Sequence, residues 1–127
     1  MLSDKEGIAT VGVKDIKRAA EFYEGKLGLK PMPENPEPSA RSYRTGKTSI
    51  LVYESRYAGT NEATAVNWDV GSEVEALVKE LSAKGVTFEH YDDLPETKRE
   101  GDIHLGGGMK LAWFKDPDGN IHALMGR

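Results

Sequence analysis

The feature that most limits how this chain can fold is a repeat of its helix punctuation. Asp15 and Ser72 each stand where a helix can begin, Gly28 and Gly85 where one can end, and both pairs lie 57 residues apart. An Asp or Ser side chain accepts a free amide of the first helical turn. Glycine tolerates the positive φ that stops a helix. A matched start and stop marks a duplicated unit, although residue identity between the two halves is poor.

Each half reads strand, helix, strand, strand, strand. In the first half, 8–14 (IATVGVK) alternates as a strand. Ile16, Ala20, Tyr23 and Leu27 then fall on one helical face. Pro31, Pro33, Pro36 and Pro38 forbid regular helix in the connection that follows. Segments 40–45 and 48–54 form a hairpin about Gly46-Lys47. In the second half, 64–70 (TAVNWDV) is a strand, and Ser72 with Glu75 fits a capping box. Val74, Leu77, Val78 and Leu81 give the helix its apolar face. Segment 86–91 is a strand, and 109–115 and 120–125 are strands joined by the strong turn Asp116-Pro117-Asp118-Gly119.

Two such units side by side predict an α+β fold. Two βαβββ modules form a curved eight-stranded cup with the helices outside and a hollow suited to a small molecule. The expected organisation is one domain over 1–127: module 1 at about 8–54, a linker at 55–62 and module 2 at about 63–126.

Composition narrows the function. The chain has 127 residues and no cysteine, so no disulfide, thiolate nucleophile or Cys-ligated metal is available. A cytoplasmic location is the simple expectation. The N-terminal MLSDKEG is too polar and short for a signal peptide, and no apolar run approaches the roughly 18 residues that span a bilayer. Seventeen Lys and Arg against 21 Asp and Glu give a net charge of −4, scattered, which gives no reason to expect nucleic-acid binding.

Residues 11–31 (VGVKDIKRAAEFYEGKLGLKP) and 114–124 (FKDPDGNIHAL) resemble the opening and closing motifs of the vicinal oxygen chelate superfamily, which includes glyoxalase I, bleomycin-resistance proteins, fosfomycin-resistance enzymes and extradiol dioxygenases. With the repeat, the resemblance spans nearly the whole chain. It implies a divalent metal held by His and Glu in the cup, where it would stabilise developing enolate or alkoxide charge. The ligand positions that it implies fall here at Ile8, at Leu51 (or Tyr53 in a shifted register), at Ala65 and at Ala123. Ile, Leu and Ala offer no lone pair, and one Tyr would not hold the ion. The expectation is therefore a cup with no metal and no cofactor.

With those positions as phase, alternation places Ile8 and Thr10, Leu51 and Tyr53, Ala65 and Asn67, and Ile121, Ala123 and Met125 on the inner face. Trp113 stands where dioxygenase-like relatives carry an aromatic residue, so the resemblance turns it inward as well. The expected ligand-binding set is Thr10, Leu51, Tyr53, Asn67, Trp113, Ala123 and Met125, with Tyr43 and Tyr91 as further lining residues. Trp68 and His122 fall on the helix side, His90 shares the phase of core residues Val86 and Phe88, and His104 lies near the charged connection. Segment 92–108, charged and then glycine-rich, reads as a lid or as a surface loop.

These residues favour a bleomycin-resistance-like protein that binds a small, flat, apolar or aromatic molecule. The alternative is a metal-independent lyase or isomerase using Tyr53, Tyr91 or Glu89 as acid–base groups. A third reading is a glyoxalase or dioxygenase with metal ligands from other positions, and a fourth is a partner-binding module. The resemblance implies a homodimer, with the cup in one chain or shared by exchanged modules.

Overall fold

The computed structural model describes residues 1–33 and 38–127; Pro36, in the proline-rich connection, lies outside the described residues. The described residues form two open sheets and two short helices, the α+β arrangement of βαβββ modules expected for the cup. The first sheet contains β1 (Ala9–Val13), β2 (Lys30–Pro31), β3 (Ala40–Thr45) and β4 (Thr48–Glu54), in the order β1-β4-β3-β2. The second contains β5 (Thr64–Gly71), β6 (Phe88–Glu89), β7 (Lys98–Glu100), β8 (Ile103–Gly106), β9 (Met109–Lys115) and β10 (Ile121–Gly126), in the order β5-β10-β9-β8-β7, with β6 also on β9.

The duplication appears in the pairing. β1 runs parallel to β4 and β5 parallel to β10, and the remaining strands continue antiparallel in both sheets. The predicted hairpin over 40–45 and 48–54 is observed with those bounds. Gly28 and Gly85 both adopt positive φ, +71° and +90°, at the two helix stops.

Helix α1 covers Ile16–Ala20, and the Asp15 carboxylate accepts from Lys17 N and Arg18 N at 2.8 and 3.3 Å. The helix continues as a π-helical turn, Glu21–Lys26, where Leu27 N donates to the carbonyl of Phe22. This wider turn changes the predicted face. Adjacent Phe22 and Tyr23 both enter the core, beside Ile16 and Ala19, while Ala20 and Leu27 are half-buried. Helix α2 (Val74–Ala83) is preceded by Glu73 rather than by a capping Ser72, and no side chain caps it. The capping box is not formed.

The core lies between the helix-facing sides of the two sheets. Tyr23 sits between them: its ring stacks on Tyr43 of β3 and meets His122 of β10 edge-on. Phe22 contacts Phe114 of β9, and Trp68 Nε1 of β5 donates to Thr45 Oγ1 of β3 at 2.9 Å. Tyr43, expected as a lining residue, is instead fully buried here, because it lies in phase with Ile50 rather than Leu51. Among the described residues, no helix is long and apolar enough to cross a membrane.

Candidate functional site

The helix-free faces carry the residues expected to line the cup. On the first sheet, Thr10 lies beside Leu51, and Tyr53 follows beside Gly12. Tyr53 is 40% exposed, whereas its neighbour Val52 is buried, so the alternation is as expected. On the second sheet, Asn67, Ala123 and Trp113 lie in one row across β5, β10 and β9. Met125 lies two pairs along on the same face, and its sulfur accepts from Asn67 Nδ2 at 3.5 Å. The structure thus gathers the seven residues into two groups, one on each sheet. The two sheets meet through their opposite faces.

Of the second-sheet group, Trp113 lines a cleft of about 570 Å³, together with residues that include Thr64, Tyr91, Leu94, Lys115 and Ile121. That volume suits a drug-sized ligand. Trp113 is held in place on its wall. Its Nε1 donates to Thr64 Oγ1 at 3.1 Å, and Tyr91 meets its ring edge-on with centroids 5.3 Å apart. Behind it, His104 packs edge-on at 4.8 Å. Lys115 and Glu89, 3.5 Å apart, bring opposite charges to the same side of the sheet.

His104 was not legible as part of this cluster. It was expected near the charged connection, yet it is fully buried. The connection itself folds into strands β7 and β8, and β8 pairs His104 with Leu111. The signal was the glycine run. Gly107 and Gly108, at φ +58° and +75°, form the two-residue turn that sets this register. His104 Nε2 accepts from Tyr91 N at 2.9 Å, so the ring carries its proton on Nδ1. Burial favours the neutral ring and lowers its pKa, with the Leu111 backbone acting the other way. Burial also raises the Tyr91 phenol, reinforced by Glu89 and opposed by Lys115.

His90 departs from its expected place in the core. Strand β6 ends at Glu89, and His90 turns outward to Asp102 Oδ1 at 2.7 Å. Trp68 and His122 do face the helix side. His122 Nε2 lies 2.7 Å from the Tyr23 hydroxyl.

The four positions implied for a metal ion test directly for fit. Ile8 is 56% exposed and Ala123 is 1% exposed; like Leu51 and Ala65, they carry only hydrocarbon. Among the described residues, no three His, Cys, Asp or Glu side chains converge to hold a metal. This donor set does not fit a divalent cation.

Comparison with solved structures finds the same fold. The chain is similar to the fosfomycin resistance protein FosX from Listeria monocytogenes (TM-score 0.71, 16% identity, 100% of this chain and 95% of that one). It is also similar to a lactoylglutathione lyase from Agrobacterium tumefaciens (0.70, 16%, 99% and 96%) and to a glyoxalase family protein from Enterococcus faecalis (0.71, 18%, 98% and 99%). No curated protein matches the sequence. A family model matches residues 7–124, which take in both modules, the pinned Trp113 and the turn that carries Asp116. The chain therefore belongs to the Glyoxalase/Bleomycin resistance protein/Dioxygenase superfamily.

Proposed function

We propose that this protein binds a small, flat, largely apolar molecule against Trp113 without a metal ion. The observation that carries the reading is the indole held by Thr64 and boxed by Tyr91 and His104 at the wall of a 570 Å³ cleft. The half-buried ring offers apolar area that is ordered before the ligand arrives, which lowers the entropic cost of binding. The hydrocarbon side chains at the implied ligand positions support binding without metal. Two of the structural neighbours are named for small compounds, fosfomycin and lactoylglutathione.

The test is a titration with a panel of planar aromatic compounds, following tryptophan emission in the Trp68→Phe variant, where Trp113 is the only reporter. Saturable quenching that disappears in Trp113→Phe is the expected result. The reading fails if no compound changes Trp113 emission while acrylamide quenching shows that ring to be accessible.

The working unit is a homodimer in which the Thr10, Leu51 and Tyr53 face of one copy meets the Asn67, Trp113 and Met125 face of the other. Support comes from the placement of these groups on two sheets that meet through their other sides. Mixing Tyr53→Ala and Trp113→Ala protein tests it: shared sites restore a fraction of wild-type affinity, whereas sites within one chain restore none.

A further inference from the structure

On the helix side, away from the cup faces, a second recess of about 200 Å³ opens between the modules. Leu29, just past the first helical segment, lines it together with Leu77 and Leu81 of α2. Trp68 of β5, Leu124 of β10 and Thr45 of β3 line it as well. Leu81 and Leu124 are buried, and Leu29, Trp68 and Leu77 are half-buried. The apolar wall continues the protein core, yet the core does not fill it.

Its chemistry selects an occupant. An apolar cavity of about 150 Å³ stays dry and takes up benzene-sized molecules, because a water needs two to four polar partners. In this recess the polar feature is the Trp68–Thr45 pair. Trp68 Nε1–H donates to Thr45 Oγ1 at 2.9 Å, so the indole proton is already used. The Thr45 hydroxyl accepts that bond and keeps its own proton to donate. A fitting molecule is therefore a single hydrocarbon ring carrying one hydrogen-bond acceptor.

We propose that this recess is a second small-molecule site, for a monocyclic, mainly hydrocarbon compound with one carbonyl-type acceptor directed at the Thr45 hydroxyl. The site is independent of the Trp113 cleft: Trp68 and Asn67 point to opposite faces of β5, so occupancy here stands or falls apart from the cup.

Acetophenone and ethylbenzene, similar in shape and differing in the acceptor, are the probes. They are titrated into the full chain while the Trp68 Nε1–H and the Leu77, Leu81 and Leu124 methyl resonances are followed by NMR. The expected result is a saturable shift of these signals by both compounds, with acetophenone several-fold tighter. Thr45→Val removes that several-fold preference and leaves ethylbenzene binding in place. Leu77→Phe and, separately, Leu29→Phe add bulk to the recess lining, and either folded variant weakens both probes at least tenfold. The proposal is overturned if these resonances do not shift up to the solubility limit. Wild-type affinity in the filled variants overturns it too. So does broadening of the same signals with protein concentration alone, which would assign the recess to a second copy of the chain.

Discussion

The Tyr23 hydroxyl donates to Asp116 Oδ2 at 2.7 Å, joining the π-helical turn of the first module to the closing turn of the second. Burial and the Asp116 carboxylate hold this phenol protonated, far above its ordinary range. Its single proton goes to Asp116, so His122 Nε2–H must donate to the Tyr23 oxygen. Asp116 Oδ1 accepts from Asp118 N and Asn120 N, and Asn120 Nδ2 reaches Gly12 O at 2.7 Å. The two modules are thus joined through one buried polar network.

Replacing Tyr23 by Phe keeps the ring stack on Tyr43 and removes the hydroxyl. Asp116 and His122 each lose a buried partner. The expected cost is about 1–3 kcal/mol of folding stability, read as a lower urea midpoint at unchanged m. A midpoint equal to wild type would mean that the network does not hold the modules.

His122 gives the fold a pH dependence. Burial lowers its pKa from 6.5 to about 4, with the Asp116 charge opposing. Between those values the unfolded chain binds a proton that the folded ring refuses. Stability is therefore fully present above pH 6.5 and declines as the pH falls towards 4, by up to about 3 kcal/mol. The buried His104 contributes in the same direction. Urea midpoints from pH 7.5 to 4 measure the slope. His122→Asn flattens it, and an equal slope in that variant would assign the effect elsewhere.

Gly59 packs against the backbone of the closing turn. It has φ +73°, and an added Cβ would collide with the Asp118 carbonyl. Gly59→Ala is expected to cost about 3 kcal/mol or more, because both the conformation and the space are wrong for a side chain. Gly25 has open space around its Cβ position and lies within the helical segment. Gly25→Ala should stabilise by about 0.5–1 kcal/mol. Thermal melts of the two variants should move in opposite directions.

Binding at Trp113 should be indifferent to metal. Dialysis against a chelator leaves ligand affinity unchanged, and stoichiometric Zn²⁺, Ni²⁺ or Mn²⁺ raises the melting temperature by no more than about 1 °C, since an ion that does not bind the folded state adds no stability. Loss of ligand affinity on chelation would return the metal-dependent reading.

The β7–β8 hairpin is tied to the segment before it by Arg99 to Asp92 at 2.7 Å and by His90 to Asp102 at 2.7 Å. These pairs lie at the surface, where solvent screens them, so Arg99→Ala is expected to leave global stability nearly unchanged. It should still speed amide exchange over 98–106, where the hairpin opens locally. Unchanged exchange would show that the strand pairing holds the hairpin without Arg99.

Local chemistry wrote much of this fold into the sequence. The glycines at 28 and 85, the hairpin at Gly46-Lys47 and the DPDG turn act over a few residues, and each sits where its backbone preference placed it. Alternation sorted Thr10, Leu51 and Tyr53 from Val11, Ile50 and Val52, because a strand sends successive side chains to opposite faces. The π-helical turn was not legible, since it exists to bring Phe22 and Tyr23 together against both sheets. Nor was the burial of His104, which depends on a hairpin covering it and on Tyr91 and Trp113 closing above. The sequence alone determined the duplicated strand–helix pattern and the hydrocarbon side chains at the implied metal positions. Tertiary structure alone decided that the helix-facing sides of both sheets share one core, and so which residues line the Trp113 cleft and which the recess at Trp68. The physical reason is range: turn and strand preferences act between neighbours in the chain, whereas burial is fixed by whatever distant surface packs on top.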